Sequence, residues 1–186
     1  MTNRAFLLIP AALICLAAAP APKAAPPRPP AKPAAAKPAA RPAAAPFDVQ
    51  NPQGLIELIT AAGGKAQMSR REEDAVFVAV TAPAATFSVQ FAGCNAQGRA
   101  CQAVLFDSLM EGGSPTLLQL NSFNQTSVVC RLYQDKTGKP HATYAALLMK
   151  TDTREGAALH LAAWRGCLAE ASAFLKDPVG YLANAA

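Results

Sequence analysis

Histidine is scarce in this chain: His141 and His160 are the only two. An imidazole-based metal centre or acid–base pair needs a second ligand or an acid close by. Here one histidine follows Pro140 at a turn and the other lies on a predicted helix, so each reads as a surface or helix-face residue. No Gly-x-Ser-x-Gly elbow occurs. Gly63-Gly64-Lys65 lacks the earlier glycine and the Ser/Thr of a phosphate loop. Gly112-Gly113-Ser114-Pro115 reads as a helix cap rather than an anion cradle. Asp107 and Glu111 are too isolated for a carboxylate pair. These absences leave no catalytic residue, metal site or cofactor to name, and the expected function is non-enzymatic. The longest apolar run, residues 5–19, is too short for a comfortable permanent bilayer span, and no internal repeat is visible.

Excess charge is missing from the part of the chain that should fold. The formal net charge is +5, but Lys23, Arg28, Lys32, Lys37 and Arg41 lie in one Pro/Ala-rich stretch and Arg4 precedes them. The other 11 Lys/Arg against 12 Asp/Glu leave residues 47–186 at −1. The basic balance therefore belongs to a tail, which argues against a nucleic-acid surface on the domain.

What is present divides the chain into three. Residues 1–19 read as a signal peptide, with Arg4 before the apolar run and Ala17, Ala18 and Ala19 closing it. Pro20 and Pro22 leave the cleavage site open. Cys15 follows the bulky Ile14, so it reads as part of the discarded apolar core, with lipidation the lesser alternative. Residues 20–46 form a disordered Pro/Ala-rich basic linker. It reads first as a spacer. Weak electrostatic contact with an anionic envelope surface is the sharper alternative. Residues 47–186 are long enough for one domain with a real core. The expected location is the periplasm or the exterior, after cleavage.

The domain is organised around residues 86–109. Phe87, Val89 and Phe91 alternate with Ser88 and Gln90, and Val104 and Phe106 can join their face on the returning strand. Asn95, Gln97, Gly98 and Arg99 supply the turn. Cys94 and Cys101 then lie opposite each other at the strand ends. Six residues separate them and no second ligand pair is near, so a disulfide is preferred to a zinc pair.

A helix is predicted over 51–62, ended by Gly63-Gly64, and short strands over 65–70 and 74–81. A second helix starts with Ser114 as N-cap and Pro115 in its first turn, burying Leu117, Leu118, Leu120 and Phe123. Strands follow over 127–134 and 140–149, joined by a turn at 135–138. Thr153 caps a last helix that stops before Pro178, with Leu161, Trp164, Leu168, Ala171 and Leu175 on its buried side. The order is α-β-β-β-β-α-β-β-α, an α+β domain with a mainly antiparallel sheet and helices packed beside it. Cys130 shares a predicted strand face with Val128 and Leu132, and Cys167 lies near the helix stripe. Two readings stand for them: a second bridge, or two buried thiols.

Several of these pieces resemble the YbjN-type domain family, which is labelled a group of bacterial sensory transduction regulators. They are the helix ending at Ala62-Gly63, the strand from Phe87 to Gly93-Cys94, the returning Cys101 strand, Leu120 to Asn124 (LNSFN), Arg131 to Pro140, and Trp164. Phe123 stands where the family commonly has tryptophan. The resemblance covers residues 51–177. It implies a fold similar to type III secretion chaperones, which bind extended peptide segments and commonly dimerise. It carries no catalytic residues.

Asn121 and Asn124 lie three apart on the second helix. Their amides bond neighbouring backbone, or they line a peptide groove together with Arg131, whose other reading is a salt bridge. The expected function is an exported, non-enzymatic, chaperone- or regulator-like module that holds a protein or peptide segment of the bacterial envelope, by strand addition or in an apolar groove, as a homodimer. A periplasmic small-ligand or signal sensor is the second reading and would show an apolar pocket between sheet and helices. An enzyme is the third. It would need a cleft where His141 or His160 meets an acid or a cysteine.

Overall fold

A computed structural model describes residues 46–185. The leader, Cys15 and all but the last residue of the Pro/Ala stretch lie outside them.

Asn51 starts helix α1 (Pro52–Ala61): its side chain accepts from the Gln53 N–H, and Pro52 takes a first-turn position where no N–H is needed. Leu55 and Ile59 form its buried stripe, and Gly63, at φ +84°, ends it. Four strands follow: β1 (Lys65–Arg71), β2 (Ala75–Ala82), β3 (Ala85–Ala92) and β4 (Ala103–Leu109). Helix α2 (Leu117–Thr126), strands β5 (Arg131–Gln134) and β6 (Pro140–Leu147), then helices α3 (Arg154–Lys176) and α4 (Pro178–Asn184) complete the described chain. The domain is α+β, with one six-stranded antiparallel sheet in the order β1-β2-β3-β4-β6-β5.

Strand alternation makes one face the core. Val76, Val78 and Val80 stand beside Phe91, Val89 and Phe87, and these beside Val104 and Phe106. The long helix α3 lays Leu161, Trp164, Cys167, Ala171, Phe174 and Leu175 into the core. On the other face Ala79, Ser88 and Ala145 are exposed, and Phe77 carries the Arg70 guanidinium over its ring at 4.0 Å.

Both cysteine pairs are disulfides, Cys94–Cys101 and Cys130–Cys167. The first closes the base of the β3–β4 loop just outside the strand ends. Asn95 organises that loop by accepting from the Gln97 and Arg99 N–H groups, and Gly98 adopts φ +71°. The second ties the entry of β5 to the middle of α3. Of the two readings left open for Cys130 and Cys167, the structure takes the bridge.

Local expectations fail in four places. Helix α2 is capped by Thr116, not Ser114. Thr116 and Gln119 form a reciprocal capping box, which satisfies two end groups that Ser114, ahead of buried Pro115, does not reach. Leu117 and Leu118 are consequently exposed (72% and 74%), and only Leu120 and Phe123 are buried. Residues 127–130 are not strand: Val128 is 88% exposed, and the Ser127 hydroxyl accepts from the Cys130 N–H. Pro178 ends α3 but also opens α4, because Asp177 accepts from the Gly180 N–H and proline suits a first-turn position. Four helices therefore occur among the described residues, where three are predicted.

Candidate functional site

Asn121, Asn124 and Arg131 do not converge on a groove. Asn124 donates from Nδ2 to the Leu132 carbonyl at 2.9 Å and accepts on Oδ1 from the Leu132 N–H at 2.8 Å. A side-chain amide thus stands where a neighbouring strand would pair, and it closes the outer edge of β5. Asn121 is exposed. Arg131 donates to the Ser127 and Cys130 carbonyls, both at 2.8 Å, rather than to an acid. Asn124→Ala is expected to leave both Leu132 groups unpaired and to lower the unfolding free energy by about 1–3 kcal/mol, measured by urea denaturation. A loss under a few tenths of a kcal/mol would show that water replaces the amide without penalty.

The opposite edge, β1, is guarded differently. It carries Lys65, Arg70 and Arg71, and its pairing with β2 shifts register between Met68 and Arg70. Charge and a bulge are the ordinary means of blocking edge-to-edge pairing. Strand addition is therefore disfavoured at both edges.

The sheet and helices do enclose an apolar cleft of about 380 Å³. One wall is the end of α1, at Ile59 and Ala62. A second is the tight turn between β2 and β3, Ala82-Pro83-Ala84-Ala85, with Phe87 beyond it. The third is α3, through Leu161, Trp164, Arg165 and Leu168. Gly64 lets the chain pass close to α1: a Cβ there would lie 2.8 Å from Ile59 Cγ2. Trp164 is 1% exposed, with ring centroids 5.5 Å from Phe87 and 5.7 Å from Phe106. Its indole N–H is buried with no hydrogen-bond partner among the described residues. Arg165, the next residue, is exposed and makes no ion pair among the described residues.

A polar cluster occupies the open sheet face. Pairing across β4, β6 and β5 sets Leu109 opposite His141 and His141 opposite Tyr133, with Asp107 two residues back on β4. His141 Nδ1 lies 2.9 Å from Asp107 Oδ1, and the Tyr133 hydroxyl donates to Asp107 Oδ2 at 2.8 Å. The Tyr133 ring stacks on His141 at 4.9 Å. Burial, and then the bond to the Asp107 carboxylate, push the Tyr133 phenol up to about 12. Asp135, 3.8 Å from His141 Nε2, is held below the usual carboxylate range, chiefly by the Thr137 hydroxyl and the Lys139 N–H.

His141 therefore does meet an acid, which no sequence spacing signals across the 34 residues that separate the two. No serine, threonine or cysteine side chain is bonded to it among the described residues, and Thr143, beside Asp107, donates to the Phe106 carbonyl instead. His160 is bonded to the Tyr144 hydroxyl at 2.7 Å. Among the described residues no group of three or more His, Cys, Asp or Glu is placed to hold a metal ion, and no helix is long and apolar enough to cross a membrane.

Comparison with protein-family models, curated proteins and solved structures finds no match.

Proposed function

We propose that this chain is an exported, non-enzymatic binding module of the bacterial envelope, of YbjN type, which takes an apolar group of its partner into the cleft between α1, the β2–β3 turn and α3. The observation that carries this reading is the cleft itself. Its volume lies within the range of ligand sites, its walls are aliphatic and aromatic, and one charged residue stands on its lining. The two disulfides fit an oxidising compartment such as the periplasm. Of the two modes of peptide capture, the groove is supported and strand addition is not, because Asn124 closes one sheet edge and charge with a bulge guards the other. The cleft also suits a small ligand, so sensor and chaperone-like readings share one site.

A neutral apolar dye, N-phenyl-1-naphthylamine, tests the reading. It is expected to bind saturably with enhanced emission. Ala84 lies at the exposed turn and lines the cleft. Ala84→Phe should weaken dye binding by about tenfold or more, by filling the mouth, with the melting temperature unchanged. Non-saturable binding, or equal binding by the variant, would remove the cleft as the site.

A further inference from the structure

We infer that the occupant of this cleft is a single-chain amphiphile with a carboxylate head, held by Arg165, and an alkyl tail lying over Trp164. The inference rests on the reading of the cleft as a binding site and adds the chemistry of what fills it.

The donor set decides the head group. The cleft's lining side chains are Ile, Ala, Pro, Phe, Leu, Trp and Arg. The one exposed polar side chain among them is Arg165, because the Trp164 indole N–H is buried. A guanidinium donates and cannot accept. The complement is a group that only accepts, and a carboxylate is that group. The guanidinium fork also matches its two oxygens in a way that an ammonium does not.

Among the described residues no acid pairs with Arg165. On its own helix the residues three and four positions away are Ala162, Leu161, Leu168 and Ala169. The turn facing it, Ala82-Pro83-Ala84-Ala85, has no charge. A guanidinium without a counter-ion at the rim of an apolar cleft favours an anion whose remainder is apolar.

The size of the cleft decides the tail. At about 380 Å³ the cleft lies toward the small end of ligand sites, which suits one alkyl chain rather than two.

Trp164 is the only tryptophan in the chain and lines the cleft, so its emission reports occupancy directly. The full-length protein would be titrated below micelle-forming concentrations with decanoate, decan-1-ol and decylamine. The expected order is decanoate first, about tenfold tighter than decanol, with decylamine weakest. Arg165→Ala should abolish the preference for decanoate over decanol, and Arg165→Lys should restore part of it, with the melting temperature as the check that each variant folds. Equal affinity for decanoate and decanol would overturn the carboxylate assignment and leave the cleft standing. So would a preference that survives Arg165→Ala. Binding of none of the three would overturn the cleft and the assignment together.

Discussion

Replacing Cys130 and Cys167 together by alanine is expected to lower the unfolding free energy by about 4 kcal/mol, from the chain entropy of the loop they close. The two cysteines are 37 residues apart in sequence, and the bridge spans β5, β6 and half of α3. Both are buried, at 0% and 2% exposure, so alanine also leaves small voids that add to the loss. The bridge at Cys94 and Cys101, at a separation of 7, contributes less, about 2.5 kcal/mol by the same reasoning. The longer bridge matters for a second reason. It fixes α3 against the sheet, and α3 supplies Trp164 and Arg165 to the cleft. Urea denaturation of the wild type and the C130A/C167A variant measures the difference, and the melting temperature should fall by on the order of 10–15 °C. A reductant should destabilise the wild type further than it does the variant, which keeps only the shorter bridge. A loss below about 1 kcal/mol would mean that the reduced chain is already constrained in its unfolded state.

Phe106→Ala should destabilise the domain by about 3–5 kcal/mol. Phe106 has no exposed surface, and it touches three other rings: Phe87 at 6.2 Å, Tyr144 at 5.7 Å and Trp164 at 5.7 Å between centroids. Truncation removes the ring from beneath the helix that covers the sheet and leaves a cavity that β4, held between β3 and β6, cannot close. Phe106→Leu keeps most of the volume and should cost about 1–2 kcal/mol. The two variants together separate packing from loss of the aromatic contacts, which add about 0.5–1.5 kcal/mol per pair. If alanine and leucine had equal effects, volume would not be the controlling quantity. Because Phe106 supports Trp164, the alanine variant should also shift tryptophan emission before any ligand is added.

Much of the fold was legible because it is written in local patterns. The alternation of Phe87, Val89 and Phe91 with Ser88 and Gln90 gives a strand and its inward face by geometry alone. Thr153 and the stripe from Leu161 to Leu175 give a capped helix with one buried side, and the helix is observed at Arg154–Lys176. The misreadings sit where two local signals compete. Ser114-Pro115 looks like a cap and first turn, yet Thr116 and Gln119 offer a reciprocal pair of bonds and win. Pro178 reads as a stop, but with Asp177 before it a proline is equally a start.

The site was far less legible. Asn124 stood out as a polar residue beside an apolar stripe, but its role depends on which strand edge comes to lie next to it. Asp107 and His141 each read as isolated in the sequence, and they meet only because β6 pairs with β4 in a register that places Asp107 and His141 on one face. Trp164 reads as core, which it is; that it also lines a cleft follows from the gap left where α1 ends and the β2–β3 turn begins.

The sequence by itself therefore determined most of the elements, the inward faces of the central strands and of α3, and the cysteine pair at the central turn, since each depends on interactions between residues a few positions apart. Tertiary structure alone decided the closed sheet edge, the Asp107–His141–Tyr133 cluster, the cleft and the place of Arg165 on its lining. These depend on strand register and on how α3 seats against the sheet. Both are set by the summed packing of the whole core, and no short stretch of sequence carries that sum.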